Sequence, residues 1–176
     1  MYKPDAAVAL LLFILTGTAS AAMSLTSTDV RSGAVIPTAH IYPRCGGENI
    51  SPALSWSGAP KGTKSFVLTM IDLDVKPDEW SHWVVVGLPA AVNSIPRGAA
   101  SLPGGAKAIV SNFGDAAYAG PCPPKGTGVH HYQFTIWALP AAEISLADDA
   151  KATTLTALLS RQALDQASLV GLVSAH

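Results

Sequence analysis

Between Gly120 and Tyr132 the chain reads Gly-Pro-Cys-Pro-Pro-Lys-Gly-Thr-Gly-Val-His-His-Tyr, and no regular helix can run through it. Proline fixes φ and lacks an N–H, so Pro121, Pro123 and Pro124 exclude both a helix and a sheet interior. Glycine admits positive φ and lets the backbone approach a neighbour closely. The stretch therefore opens as a rigid, turn-rich loop. It closes as a strand, because Tyr132, Phe134, Ile136 and Ala138 alternate with Gln133, Thr135 and Trp137. By parity His130 lies on the Tyr132–Phe134 face. A His and a Tyr where an apolar strand meets a Gly/Pro loop make a corner for a small polar pocket.

Other apolar runs carry similar punctuation. In Phe66–Asp72 both parities are mostly apolar, which predicts a strand buried on both faces. Trp83–Leu88 is a second such run. A short strand is expected at Leu54–Trp56, after the turn chemistry of Arg44–Pro52, and another within Ala34–Tyr42. Leu155, Leu158, Leu159 and Ala163 recur at helical spacing, so Thr154–Leu164 is expected to be an amphipathic helix capped by Thr153 or Thr154. Ser168–Val173 is expected to be a last, short strand. Strands separated by Pro and Gly turns predict an all-β fold of antiparallel sheets packed as a β-sandwich, with one or two peripheral C-terminal helices.

The first 22 residues have a different character. Lys3, the short apolar run Ala6–Leu15 and the small residues Ala19-Ser20-Ala21 have the layout of a cleavable signal peptide. The run is about half the ~20 residues a spanning helix needs, which disfavours the alternative of an uncleaved anchor. Residues 23–176 then form a single domain, secreted or periplasmic. With 13% charged residues, a net charge of −1 and no Lys/Arg run, nucleic-acid binding and polybasic membrane attachment are both disfavoured. Cys45 and Cys122 are the two cysteines. An even count in an exported chain suggests one disulfide, closing a loop worth about 4 kcal/mol on the chain-entropy model. Without a C-x-x-C, a thiolate metal site is disfavoured; two free thiols would require a reducing compartment.

Polar residues stand where three apolar strands meet loops. Asp72 and Asp74 end the first run, His82 precedes the second on the parity of Val84 and Val86, and His130 and Tyr132 begin the third. If the strands are neighbours, these side chains converge on one rim. The plainer reading of Asp72-Leu73-Asp74 is a turn in which each carboxylate accepts from nearby backbone N–H groups. His131 and His40 read as surface residues, and the tryptophans as core, although Trp80 and Trp83 bracket His82. Asp and His together allow a metal site, but no H-x-x-x-H or facial-triad spacing is present. A serine hydrolase would need a context such as G-x-S-x-G, and neither Ser51 nor Ser81 has one. An anion pocket fits best: His, Tyr and loop N–H groups donate to a phosphate, while Asp orients a His or accepts from a cationic or hydroxyl group. That division suits a phosphate ester bearing an amine or an alcohol.

Three motifs in order, Gly46-Gly47-Glu48-Asn49-Ile50-Ser51-Pro52-Ala53-Leu54-Ser55-Trp56, Asp72-Leu73-Asp74 with His82-Trp83-Val84-Val85, and Gly120–Gly126 with His130-His131-Tyr132, resemble the phosphatidylethanolamine-binding protein family. Within it the chain is most similar to the secreted members of the bacterial Raf-kinase-inhibitor-like branch. The resemblance spans nearly all of residues 23–176. It implies Greek-key connections in the sandwich and a pocket for phosphate-like anions and phosphorylated head groups. Its residues here would be Asp72, Asp74, His82, Tyr118, Gly120, Pro121, His130 and Tyr132, with no catalytic residue, metal or cofactor. The implied activity is binding: a phosphate-bearing small molecule or phospholipid head group as ligand, and modulation of a kinase or protease as partner. A homodimer is compatible with a sandwich and is left open. The alternatives are an esterase or phosphatase in the same pocket, and a protease inhibitor acting through an exposed loop. One departure stands out: the family's D-P-D-x-P is Asp72-Leu73-Asp74-Val75-Lys76-Pro77 here, which implies a wider or more mobile rim with Lys76 near the anion. Two further expectations follow from imidazole donors titrating near pH 6.5. Anion binding should be tighter at pH 5.5 than at pH 8, and replacing His82 and His130 by Ala should abolish it without unfolding the chain.

Overall fold

The computed structural model describes residues 22–144, 146 and 151–175; the expected leader, apart from its last residue, and His176 lie outside the described residues. Five strands form the larger sheet: β3 (Ser65–Asp72), β4 (Trp80–Pro89), β6 (Lys107–Ala108), β7 (Val129–Leu139) and β8 (Asp165–Ser174). Their order is β6-β4-β3-β7-β8, antiparallel throughout. The smaller sheet is β1 (Ser24–Thr26), β2 (Leu54–Ser57) and β5 (Ser94–Ile95), in the order β1-β2-β5. Among the described residues a single α-helix, α1 (Ala152–Gln162), precedes β8. After β4 the chain visits the small sheet through β5, returns to the far edge as β6, and crosses over to place β7 beside β3. The arrangement β7-β3-β4-β6 is a Greek key.

The double-sided hydrophobicity of β3 has a direct cause. All eight of its residues are buried. Phe66, Leu68 and Met70 join Leu54, Trp56 and Ile95 in the core between the sheets. Val67 belongs to a second cluster with Val84, Trp137 and Leu139, which Leu155 and Leu159 of α1 cover. The large sheet is thus sandwiched between the small sheet and the helix, so its central strands are mostly apolar on both faces.

His40, expected at the surface, is 1% exposed, with Nδ1 2.6 Å from Ile50 O, and three expectations about the elements are corrected too. Ala34–Tyr42 is not a strand: Val35 makes one isolated bridge to Leu172, and Thr38–His40 is a 3-10 turn. Pro37, which has no N–H to give a ladder, stands between them. The helix starts at Ala152 with Lys151 at the cap position, and neither Thr153 nor Thr154 caps it. The last strand is ten residues, not a short Ser168–Val173, and pairs with β7 from Val129↔Ser174 to Ala138↔Asp165. Its outward positions include Gln166 and Ser168 at a sheet edge, so the apolar run that marks it in the sequence begins only at Leu169. Gly171 is needed there, since a Cβ would run into Ile36 and Val30. No helix among the described residues is long and apolar enough to cross a membrane.

Candidate functional site

The sheet brings the three polar strand ends together. Asp72, the last residue of β3, is opposite Trp80 on β4 and Tyr132 on β7. Tyr132 arrives by simple alternation with Phe134 and Ile136, which face the inter-sheet core. His82 does not. Its parity mates include Val84, which packs under the helix. The register, however, pairs Met70 with Trp83 and Ile71 with Ser81, so His82 is the extra residue of a β-bulge. A bulge re-aims side chains. Here it brings the His82 ring edge-on to Tyr132, with ring centroids 5.1 Å apart.

The Gly/Pro loop is clamped to the turn that follows His40. Cys45 and Cys122 form a disulfide. The Tyr42 N–H donates to Pro121 O at 3.0 Å. Asn49, held at a positive φ of 57°, accepts from Gly120 N at 2.7 Å and donates to Tyr118 O at 3.2 Å. The Tyr118 hydroxyl donates to His40 O at 2.8 Å. Tyr118, Gly120 and Pro121 therefore build the wall from behind and do not line the cleft. A Cβ on Gly120 would collide with the His40 carbonyl and the Tyr42 backbone. Gly120→Ala is expected to cost about 1–3 kcal/mol, the usual penalty of overpacking, in chemical denaturation.

Hydrogen bonding sorts the titratable groups. Asp72 Oδ2 lies 2.6 Å from His130 Nδ1, and Asp72 Oδ1 accepts from Asp74 N at 3.0 Å. His130 Nε2 lies 2.8 Å from Thr127 Oγ1. Both nitrogens of His130 are thus engaged within the protein, and its side chain is 4% exposed. It holds Asp72 and the loop in place and does not line the cleft. His82 differs. Its Nδ1–H donates to Ala119 O at 2.9 Å, and Nε2 meets hydrogen-bond geometry with no protein partner among the described residues, although the Gly120 backbone is close. Burial depresses its pKa to about 4, outweighing the Ala119 carbonyl and the Asp72 charge. At neutral pH Nε2 is therefore a lone-pair acceptor, and a pH profile set by His82 titrating near 6.5 is corrected accordingly. The Tyr132 hydroxyl is fully buried and meets hydrogen-bond geometry with no partner, although Asp72 and the Cys122 N–H are close. Burial, reinforced by the Asp72 charge, pushes its pKa up, so it remains a neutral donor.

Asp74 is turned away from these groups. One of its oxygens accepts from His131 N at 2.6 Å and His131 Nδ1 at 2.9 Å. Burial works to raise its pKa, but the bonds and charge of His131 together hold it below the usual carboxylate range. His131, which reads as a plain surface residue, is thus Asp74's partner. Lys76 donates to Leu73 O at 2.6 Å, closing the turn, and lines no part of the cleft.

The resulting cleft, of about 510 Å³, has Asp72, His82 and Tyr132 among its lining residues. Arg44, Tyr42, Trp80 and Phe113 also line it; of these the sequence reading raised Trp80, as a neighbour of His82 that could wall a pocket, and not the other three. Phe113 lies against Tyr42, Trp80 and His82, with centroids 5.3, 6.3 and 4.8 Å away. One signal could have found Arg44: it adjoins Cys45, so pairing Cys45 with Cys122 carries it to the Gly120 loop. Among the described residues no cluster of three or more His, Cys, Asp or Glu side chains could hold a metal ion.

Residues 26–174 match the family model described as phosphatidylethanolamine-binding protein. The chain belongs to this family. Family relatives include the UPF0098 protein YbcL of Escherichia coli K12, 42% identical over 142 residues covering 76% of this chain and 78% of YbcL. The crystal structure of E. coli YbcL, described there as a new member of the mammalian PEBP family, superposes with a TM-score of 0.81. That match has 35% identity and covers 89% of this chain and 100% of YbcL. The homologue CT736 of Chlamydia trachomatis gives a TM-score of 0.72 at 31% identity, covering 88% and 99%. A Mycobacterium tuberculosis relative with a lipoprotein name, LppC, is 34% identical over 149 residues, covering 85% of this chain and 71% of LppC.

Proposed function

We propose that the cleft binds a zwitterionic phosphate ester, a head group with an amine or hydroxyl at one end and a phosphate at the other. The observation that carries this reading is the pairing of groups. Asp72 and the unpartnered Nε2 of neutral His82 are acceptors, while Arg44 and the unpartnered Tyr132 hydroxyl are donors, all on one cleft. Acceptors suit an ammonium or hydroxyl group; the guanidinium and phenol suit a phosphate. Phosphate alone would leave Asp72 and His82 facing an anion with nothing to accept. The loop contributes little here, because Pro121, Pro123 and Pro124 have no N–H and the Gly120 N–H is taken by Asn49. The aromatic walls Trp80, Phe113 and Tyr42 favour a cationic amine further.

On this reading the protein acts by binding, with a kinase or protease as the class of partner it modulates. The Cys45–Cys122 disulfide and the leader-like first 22 residues support work in an oxidising, extracytoplasmic compartment. The hydrolase alternative would use Asp72 and His82 of the same cleft, where among the described residues no serine or threonine stands ready as a nucleophile. Calorimetric titration tests the proposal. Phosphoethanolamine should bind roughly tenfold tighter than ethyl phosphate, which lacks the amine, a difference typical of one charged hydrogen bond. Arg44→Ala should weaken both by a similar factor. Equal affinity for the two esters would remove the amine from the proposal, and an indifferent Arg44→Ala would remove the phosphate.

A further inference from the structure

The two halves of the Cys45–Cys122 disulfide are presented differently. Cys45 ends the exposed 3-10 turn Pro43–Cys45, while Cys122 is half-buried between the buried Pro121 and Pro123. The two sides are also held differently. Among the described residues, the hydrogen bonds of residues 43–46 stay within the turn or go to Tyr42: Cys45 N donates to Tyr42 O and Gly46 N to Pro43 O, each at 2.9 Å. Gly47 anchors the end of the turn, since its backbone lies where a Cβ would collide with the Ile41 carbonyl. The Cys122 side has ties of its own on both flanks. Gly120 bonds Asn49 and Pro121 bonds Tyr42 before it, and Thr127 meets His130 after it. Apart from the chain itself, the disulfide is thus the one bond that ties residues 43–46 to anything beyond Tyr42.

We infer that Cys45–Cys122 is a thiol–disulfide exchange site whose co-reactant is a dithiol, and that its reduction releases the Arg44 turn from the cleft. Exposed disulfides are the ones that exchange and regulate, because a thiolate must reach a sulfur in line. Here the reachable sulfur is Cys45 Sγ. A thiolate of the dithiol attacks it, the Cys45–Cys122 bond breaks, and Cys122 leaves as a thiolate that takes up a proton. The second thiol of the reductant, as its thiolate, then displaces Cys45, which takes up a proton in turn. Two electrons and two protons pass from the dithiol, which becomes a disulfide, to the cystine, which becomes two thiols. The domain keeps its sheets and the Gly120 loop keeps its flanking ties, so the change is confined to residues 43–46 and to Arg44, which lines the cleft.

The test is reduction of the folded protein in native buffer. Dithiothreitol should open the bond at a rate that low urea does not change, with the circular dichroism of the fold retained. Reduction that proceeds only as the chain unfolds would make the bond a purely structural link and overturn the proposal. Brief exposure to glutathione, quenched with iodoacetamide, should leave glutathione on Cys45 and the carbamidomethyl group on Cys122 in peptide masses; the reverse would overturn Cys45 as the attacked sulfur. After reduction the Cys45 and Gly46 amides should exchange hydrogen roughly tenfold faster or more, while Gly120, held by Asn49, changes little. Unchanged exchange at Cys45 and Gly46 would overturn release of the turn. The effect on binding rests on the head-group reading above. Reduced protein should bind phosphoethanolamine roughly tenfold more weakly, and Arg44→Ala should lose nothing further on reduction. Equal affinity of the two redox forms would overturn the coupling to the cleft and spare the head-group reading. If neither form binds, the head-group reading falls, and the amide exchange rates decide the switch by themselves.

Discussion

His130→Ala is expected to destabilise the chain by about 3 kcal/mol, the lower end of the cost of breaking a buried pair. Asp72 and His130 have side chains only 3% and 4% exposed, joined at 2.6 Å. Removing the imidazole leaves the carboxylate with the Asp74 N–H alone and takes away one of the two partners of Thr127. The cost stays at the lower end because Asp72 keeps its bond from the Asp74 N–H. For a domain of this size the thermal midpoint should fall by roughly 6–12 °C. Urea denaturation measures the effect directly, and a change within 0.5 kcal/mol would show that the pair is not structural. The expectation that both histidines can be removed with the fold intact is therefore revised. His82 is the residue to mutate for binding; His130 is held in the framework.

A second large effect comes from acid. Folded His82 titrates at about 4, against an ordinary value of 6.5. The unfolded chain thus takes up a proton at a pH where the folded chain refuses it. Stability is full above pH 6.5, declines as pH falls from 6.5 towards 4, and levels off below, a loss of about 3 kcal/mol from this group. Asp74, held below its usual range, contributes stability that is lost at lower pH still. Denaturation at pH 7 and pH 4.5 should show the decline in the wild type and a much smaller one in His82→Phe. Equal declines would mean that His82 accepts a proton in place, and the reading of Nε2 as a neutral acceptor would fall with it.

What could be read in advance follows from how strongly burial writes itself into sequence. β3 and the middle of β4 are apolar on both parities because one layer covers each of their faces, and β7 keeps a plain alternation beside them. Asp72 and Tyr132 were placed correctly on the inner face because simple alternation holds through β3 and β7. Alternation failed at His82, where one unpaired residue in Trp-Ser-His-Trp changes the side and nothing in the residue types announces it. β8 was underestimated because an edge strand needs few apolar residues. Arg44 and Phe113 were missed because they reach the cleft from turns, whose course depends on the Asn49 clamp and the disulfide. Asp74 and Lys76 carry charges that the sequence suggests for a ligand, but their nearest partners are His131 and the Leu73 carbonyl.

The disulfide has a consequence for traffic into the cleft. Cys45 and Cys122 are separated by 77 residues in the chain and joined by one bond beside Arg44 and Pro123. That side cannot swing outward as a flap while the bond is intact. Trp80 and Phe113 have no such tie. Phe113 belongs to the turn at 111–114, which is held to β4 by Asn112 through hydrogen bonds of 2.8 to 2.9 Å with Ser81. On the binding reading proposed above, exchange of a bound molecule would be timed by breathing of the Phe113 turn, which three hydrogen bonds between Asn112 and Ser81 oppose.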